Sequence, residues 1–196
     1  VNNNIEKIYF DTAGKLWCIA NSANVDNYAS LSQMNTDGTF THYLFDGNTL
    51  PLVQNVRNLA IDSHNSKWLL VSYTNQKSLL IFDENTLTFE TKRQGNITAL
   101  ATNNLGYVSI ASIGDPLYHY NGSTWTAQIE NINYPNVIYY DAQQTLWLGG
   151  EKLTRNLADT NDWADVNISN QNTFAGGTIN SVYSDLYYKA VFATTN

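Results

Sequence analysis

The sequence predicts an all-β fold: a β-propeller of four complete four-stranded blades followed by a two-stranded fifth. Two observations carry this expectation. A short sequence unit recurs five times, and inside each recurrence apolar and polar residues alternate with the period of two that marks a strand. The composition agrees: 13 Tyr and 5 Trp stand beside abundant Asn and 11 Gly. Aromatic and β-branched side chains suit a pleated sheet, whereas small polar residues and glycine accept the dihedrals of tight turns. With 43% hydrophobic and 14% charged residues, the 196-residue chain has the apolar material to fold around a core.

The unit is located by Asp11, Asp62, Asn103, Asp141 and Asp185, separated by 51, 41, 38 and 44 residues, the spacing of a four-stranded blade. Three positions earlier stand Ile8, Leu59, Leu100, Ile138 and Val182; six earlier stand Ile5, Val56, Ile97, Pro135 and Ile179. Six positions later come Trp17, Trp68, Trp147 and Val191, with Val108 five later in a third unit whose turn is shorter. An Asp or Asn opening a tight turn can accept backbone N–H groups two residues on, and a Trp at one fixed place reads as a flat wedge buried between sheets.

In chain order, the first unit predicts strands at about 5–10, 15–20, 28–34 and 39–45, with Asn35-Thr36-Asp37-Gly38 turning the last pair. The third predicts strands at 97–102, 106–111, 117–120 and 123–128, its last hairpin closed by Asn121-Gly122 in the manner of a type I′ turn. The fifth has only 179–184 and 188–194. No segment sustains an apolar stripe of helical period. The whole chain, 1–196, is expected to be one domain with blades at about 5–55, 56–96, 97–134, 135–178 and 179–196.

Residues 50–69, Leu-Pro-Leu-Val-Gln-Asn-Val-Arg-Asn-Leu-Ala-Ile-Asp-Ser-His-Asn-Ser-Lys-Trp-Leu, resemble the unit of the two-component regulator propeller repeat family. The stretches from Asp11 to Trp17 and from Asp141 to Gly149 are similar to the same unit, while Val108 and Val191 depart from it. The resemblance implies a ligand-sensing or interaction module from the extracytoplasmic, periplasmic or extracellular part of a bacterial sensor or surface protein, and carbohydrate is a frequent signal for such sensors. The chain lacks a kinase or response-regulator segment and has fewer units than the seven usual for a ring of that family.

Charge excludes one class of partner. A net charge of −7 and a pI near 4.7, with no basic cluster, repel a phosphate backbone, so no nucleic-acid partner is expected. No stretch has the roughly 18 apolar residues needed to span a bilayer, so direct membrane insertion is not expected. The single Cys18 cannot form an internal disulfide. His42, His64 and His119 lie in different units without ligand spacing, so no metal and no cofactor is expected. Asp62-Ser63-His64 contains the residue types of a hydrolytic triad, but neighbours in one turn cannot aim at one another. The alternative function is a glycan-active enzyme, a sialidase-like propeller glycosidase, because Gly122-Ser123-Thr124-Trp125 resembles the end of the Asp-box of sialidases. Tyr120 stands where that box needs Asp, and Arg57, Arg93 and Arg155 would have to form its carboxylate-binding cluster. The chain is therefore read as non-catalytic.

Loops carried on a rigid scaffold collect function. The loops after the second and fourth strands hold Tyr28, Tyr73, Asp115, Tyr134 and Glu151, the expected ligand contacts. Exposed aromatics beside amides and carboxylates suit a small molecule or an oligosaccharide, and a protein partner could use the same face. Apolar residues at both ends, Ile8, Phe10 and Trp17 and then Val182, Tyr183 and Phe192, would need cover. The expectation is a fragment of a longer propeller, with a closed five-bladed ring and association of two copies through open ends as the alternatives.

Overall fold

The computed structural model describes residues 5–21, 29–48, 50–73, 76–129, 135–156, 163–166, 178–184 and 191–195. The chain falls into two compact units, Val1–Ile97 and Thr98–Asn196.

In the first unit, β1 (Ile5–Phe10), β2 (Leu16–Ala20), β3 (Ser30–Met34) and β4 (Phe40–Leu44) form an antiparallel sheet in sequence order. A second sheet of the same order follows, from β5 (Asn55–Ile61), β6 (Lys67–Ser72), β7 (Lys77–Asp83) and β8 (Thr88–Gly95). Local turn chemistry sets these hairpins. Asp11 Oδ1 accepts the N–H groups of Ala13 and Lys15 at 3.0 and 2.9 Å, and Asp62 Oδ1 accepts those of His64 and Ser66 at 2.9 Å each. Between β3 and β4, Gly38 takes φ +81° while its N–H bonds the carbonyl of Asn35 at 3.0 Å.

The second carboxylate oxygen of each turn has its own partner. The indole N–H of Trp17 donates to Asp11 Oδ2 at 3.2 Å, and that of Trp68 to Asp62 Oδ2 at 2.9 Å. The expected apolar wedge is thus also a buried donor, matched by the charge six residues before it. Burial pushes the Asp11 carboxyl up, but the N–H of Lys15, the Trp17 indole, the N–H of Ala13 and the charge of Lys67 outweigh it and hold the group below its ordinary range. Lys67 is itself buried, 2.5 Å from the Glu84 carboxylate and 5.1 Å above the centre of the Trp17 ring. Trp17, Leu31, Tyr43, Phe45, Leu69 and Phe82 belong to the shared core, where Tyr43 meets Phe82 edge-on at 5.0 Å and Phe82 stacks on Phe89 at 4.7 Å.

The second unit begins within β9 (Ile97–Thr102), which with β10 (Val108–Ser112), β11 (Leu117–Tyr120) and β12 (Trp125–Ile129) makes the third sheet. The fourth contains β13 (Val137–Tyr140), β14 (Leu146–Gly149), β15 (Leu153–Asn156) and β16 (Trp163–Asp165); β17 (Ile179–Ser184) pairs only with β18 (Val191–Thr195). Asp141 repeats the arrangement of Asp11, accepting Gln143 and Thr145 N–H through Oδ1 and the Trp147 indole through Oδ2 at 2.8 Å. Asn103 accepts Leu105 and Tyr107 N–H, and Val108 stands in the Trp position. A residue with one acceptor oxygen occurs where there is no indole to serve. Gly149 permits the close approach of the last sheet: a Cβ there would lie 2.7 Å from both Ile179 Cγ2 and Val137 Cγ1.

Two expectations are corrected here. The all-β architecture is found, but a β-propeller of blades is not: among the described residues four four-stranded sheets and one two-stranded sheet stand as separate ladders, without closure. Ile8, Phe10 and Tyr183, which closure would cover, are 60%, 68% and 59% exposed, whereas Trp17 and Val182 are buried within their own units. The recurring turn fixes hairpins one at a time, and hairpin chemistry alone does not dictate how successive sheets close. The Asn121-Gly122 hairpin is also wider than a two-residue turn. Residues 121–124 separate β11 from β12, only Gly122 has positive φ, and Asn121 Oδ1 caps the loop by accepting Ser123 and Thr124 N–H.

Asp141→Asn replaces the acceptor facing a buried indole N–H by an amide, and should cost about 1–3 kcal/mol in urea unfolding. Asn103→Asp should change stability by less than about 0.5 kcal/mol, since its backbone partners are retained. An unaltered midpoint for Asp141→Asn would remove the indole bond from the account. Gly149→Ala should destabilise by about 1–3 kcal/mol through overpacking against Ile179 and Val137.

Candidate ligand-binding site

In the second unit a cavity of about 370 Å³ is walled by the third and fourth sheets, at the ends of the strands that carry the Asn103 and Asp141 turns. Its framework is turn against turn. The Gln144 side-chain carbonyl accepts the Asn104 N–H at 2.9 Å while its amide donates to the Asp141 carbonyl at 3.3 Å, and Gln144 adopts φ +65° to do so.

Behind these turns lies a small polar centre. Ser109 on β10 and His119 on β11 are directly opposed across the ladder, with Ser109 Oγ 2.9 Å from His119 Nε2. Tyr140 reaches in from β13, its hydroxyl 2.7 Å from Ser109 Oγ and in a short hydrogen bond with His119 Nε2. Burial lowers the pKa of His119, so the neutral ring is favoured. Burial also pushes the Tyr140 phenol up to about 12, against the opposing effect of the Ser109 hydrogen bond. The other ring nitrogen of His119, Nδ1, and the indole Nε1 of Trp163 are buried without a hydrogen-bond partner among the described residues, and both rings line the cavity.

The arrangement is equipped for hydrogen bonding rather than nucleophilic attack. A serine–histidine pair acts as a nucleophile when a third group orients the imidazole through Nδ1 and the hydroxyl reaches substrate. Here Nδ1 has no such partner among the described residues, Ser109 is fully buried, and Nε2 is shared with a tyrosine. No Asp, Glu, Lys or Arg lines the cavity among the described residues. A second hollow, of about 420 Å³ in the first unit, is bordered by His42, Asp46 and Glu84, and Glu84 is already committed to Lys67.

Of the ligand contacts expected from sequence, Tyr28 and Tyr134 lie outside the described residues. Tyr73 is half-buried against the first unit's core, and Asp115 and Glu151 are exposed in the second unit. None of these three lines the cavity, which sits at the marker-turn ends of the strands. The signal available in the sequence was polar residues, Ser109, His119 and Tyr140, on strands otherwise built for a core. The arginines of the glycosidase alternative are engaged locally: Arg57 donates to Ser72 Oγ, and Arg155 lies 5.6 Å over the Trp147 ring. Asp62-Ser63-His64 is a turn, with the Asp62 carboxylate on backbone N–H groups. No cluster of His, Cys, Asp and Glu suited to a metal occurs among the described residues, and no helix is long and apolar enough to cross a membrane.

Serial four-stranded antiparallel meanders define the class of fold of this chain, and solved structures share that fold. An extracellular domain of a putative one-component system, BT4673 from B. thetaiotaomicron, is similar over 97% of this chain at 14% identity with a TM-score of 0.65. A second structure, described as the extracellular domain of the putative hybrid two component system BT4673, is similar at 14% identity over the same share with a TM-score of 0.63. This chain spans only 31% and 30% of those two. Dihydro-heme d1 dehydrogenase NirN in complex with DHE is similar over 92% of this chain and 40% of its own, at 13% identity and a TM-score of 0.58. At such identities the likeness is one of fold, and a fold shared by a sensor and a dehydrogenase leaves function to the site. No family model and no curated protein matches the chain. The expected membership of the two-component regulator propeller repeat family is thereby corrected: the turn motif that suggested it is a local solution to hairpin formation, which unrelated sheets can share.

Because His119 has a lowered pKa in the fold, the unfolded chain binds more protons below the ordinary value of 6.5. Its contribution to stability should be complete above pH 6.5 and fall as the pH drops from there through the folded value. His119→Gln should flatten this limb of the urea midpoint against pH between about pH 7 and 5. An identical slope in the variant would show that His119 is not the responsible group.

Proposed function

We propose that this chain is part of a non-catalytic, extracytoplasmic sensing domain, periplasmic or extracellular, that binds a neutral or weakly charged ligand such as an oligosaccharide. The observation that carries the reading is the fold likeness along 97% of the chain to an extracellular domain of a putative one- or two-component system. The chemistry of the cavity supports it, since hydroxyls, amides and aromatic rings hold a ligand without supplying a nucleophile and acid pair. A sensor of this kind turns binding energy into a change of conformational population, which requires a ligand with different affinities for two states.

The test pairs activity with binding and location. Purified protein should show no turnover of sialosides or other glycosides, while neutral saccharides should raise its melting temperature. In intact cells of the source organism, external protease should reach it after the outer barrier is opened. Glycoside turnover that disappears on changing Arg57, Arg93 or Arg155 would overturn the non-catalytic reading, and protection with the cytoplasmic fraction would overturn the location.

A further inference from the structure

From the cavity between the third and fourth sheets we infer a binding site for a neutral, ring-shaped polyol of single-sugar size, packed on Tyr107 and hydrogen-bonded by the surrounding amides and the His119 ring. This rests on the sensing reading above and assigns it a place.

Three properties of the cavity select that ligand. Its size, about 370 Å³, is at the lower end of small-molecule sites and suits one ring, as a free sugar or as a single residue of an oligosaccharide. Its walls combine aromatic faces with carboxamides. Tyr107, 39% exposed, stands edge-on to His119 with ring centres 6.3 Å apart and an interplanar angle of 81°, leaving its ring available to the CH face of a sugar. Asn121 and Gln128 also line it, and such amides both donate and accept, as hydroxyl groups do. Charge provides the third property: a carboxylate or ammonium entering a site with no opposite charge on its wall would lose hydration without compensation.

The polar centre explains why a hydroxyl is the matching group. His119 Nε2 is already engaged by Ser109 and Tyr140, so Nδ1 is left as a donor in one tautomer and an acceptor in the other. Trp163 Nε1 can only donate. A hydroxyl serves either tautomer of the histidine and also accepts from an indole, which a carbonyl or an ammonium group alone cannot do. Both nitrogens are screened from solvent, so reaching them requires the cavity wall to shift locally. Binding should therefore perturb Trp163 directly.

The experiment is calorimetric and fluorescence titration of the full chain with glucose, galactose, xylose and myo-inositol, with glucuronate as the charged counterpart. At least one neutral polyol should bind, glucuronate should bind more weakly than glucose, and the titration should change tryptophan emission in the native protein but not in Trp163→Phe. Tyr107→Ala, at an exposed position, should weaken binding about tenfold, Tyr107→Phe should restore most of it, and Ile113→Ala, exposed and outside the cavity lining, should leave it unchanged. Circular dichroism of each variant checks the fold independently. A neutral polyol that binds equally well to Tyr107→Ala overturns this site while leaving the sensing reading intact. Failure of every polyol, with a melting-temperature shift from a larger or charged ligand, overturns the ligand class proposed here and again spares that reading. Failure of every ligand class tells against both.

Discussion

The carboxylate that opens a β-turn and reaches forward to an indole is the interaction on which the rest of the structure depends. Asp11, Asp62 and Asp141 each use one oxygen to gather two backbone N–H groups and the other to receive a buried tryptophan six residues on. The first task sets the hairpin and the second sets the side chain that enters the core. A charged acceptor is stronger than a neutral one, and an indole buried without a partner carries a penalty of about 1–3 kcal/mol. Folding of the first two strands and packing of the sheet are thus coupled through a single residue. The third sheet has neither partner, with Asn103 in place of Asp and Val108 in place of Trp, and has only the turn.

That substitution bears on the cavity. With Val108 rather than a tryptophan after the turn of the third sheet, the neighbouring surface is occupied by Ser109, His119 and Tyr140, which satisfy one another across two sheets. Gln144, in a left-handed conformation, then ties the two turns at the rim. One wall of the polar pocket is thus the four-stranded sheet of the described chain whose turn lacks the indole bond.

Much of the architecture was legible because the signals are local. Alternation and turn residues place β1, β9, β11 and β17 at their observed bounds and β2, β3, β4, β10 and β12 within two residues, since the Asx turns that separate them are written in single side chains. What was not legible depends on distance in sequence. Whether sheets close, and where they do not, is decided by contacts between residues far apart, which is why Ile8 and Phe10 were expected to need cover and are found exposed. The polar centre was not legible for the same reason: Ser109, His119 and Tyr140 are 10 and 21 residues apart, and nothing in a linear pattern says that they converge. Choosing ligand contacts from loops favoured exposed aromatics such as Tyr73, which proves to lean on the core.

Lys67 gives the first unit a sense of order. Its ammonium group lies over the Trp17 ring of the preceding sheet and pairs with Glu84 of its own, whereas the corresponding positions one residue before the other two tryptophans are Leu16 and Leu146. The sheets are therefore not interchangeable parts. A duplicated or transplanted copy of the second sheet would carry a desolvated cation that finds its aromatic face only behind a sheet like the first, so recombination among these segments is restricted to neighbours that already match. What looks like modular construction in the chain is, at this junction, a lock with a single key.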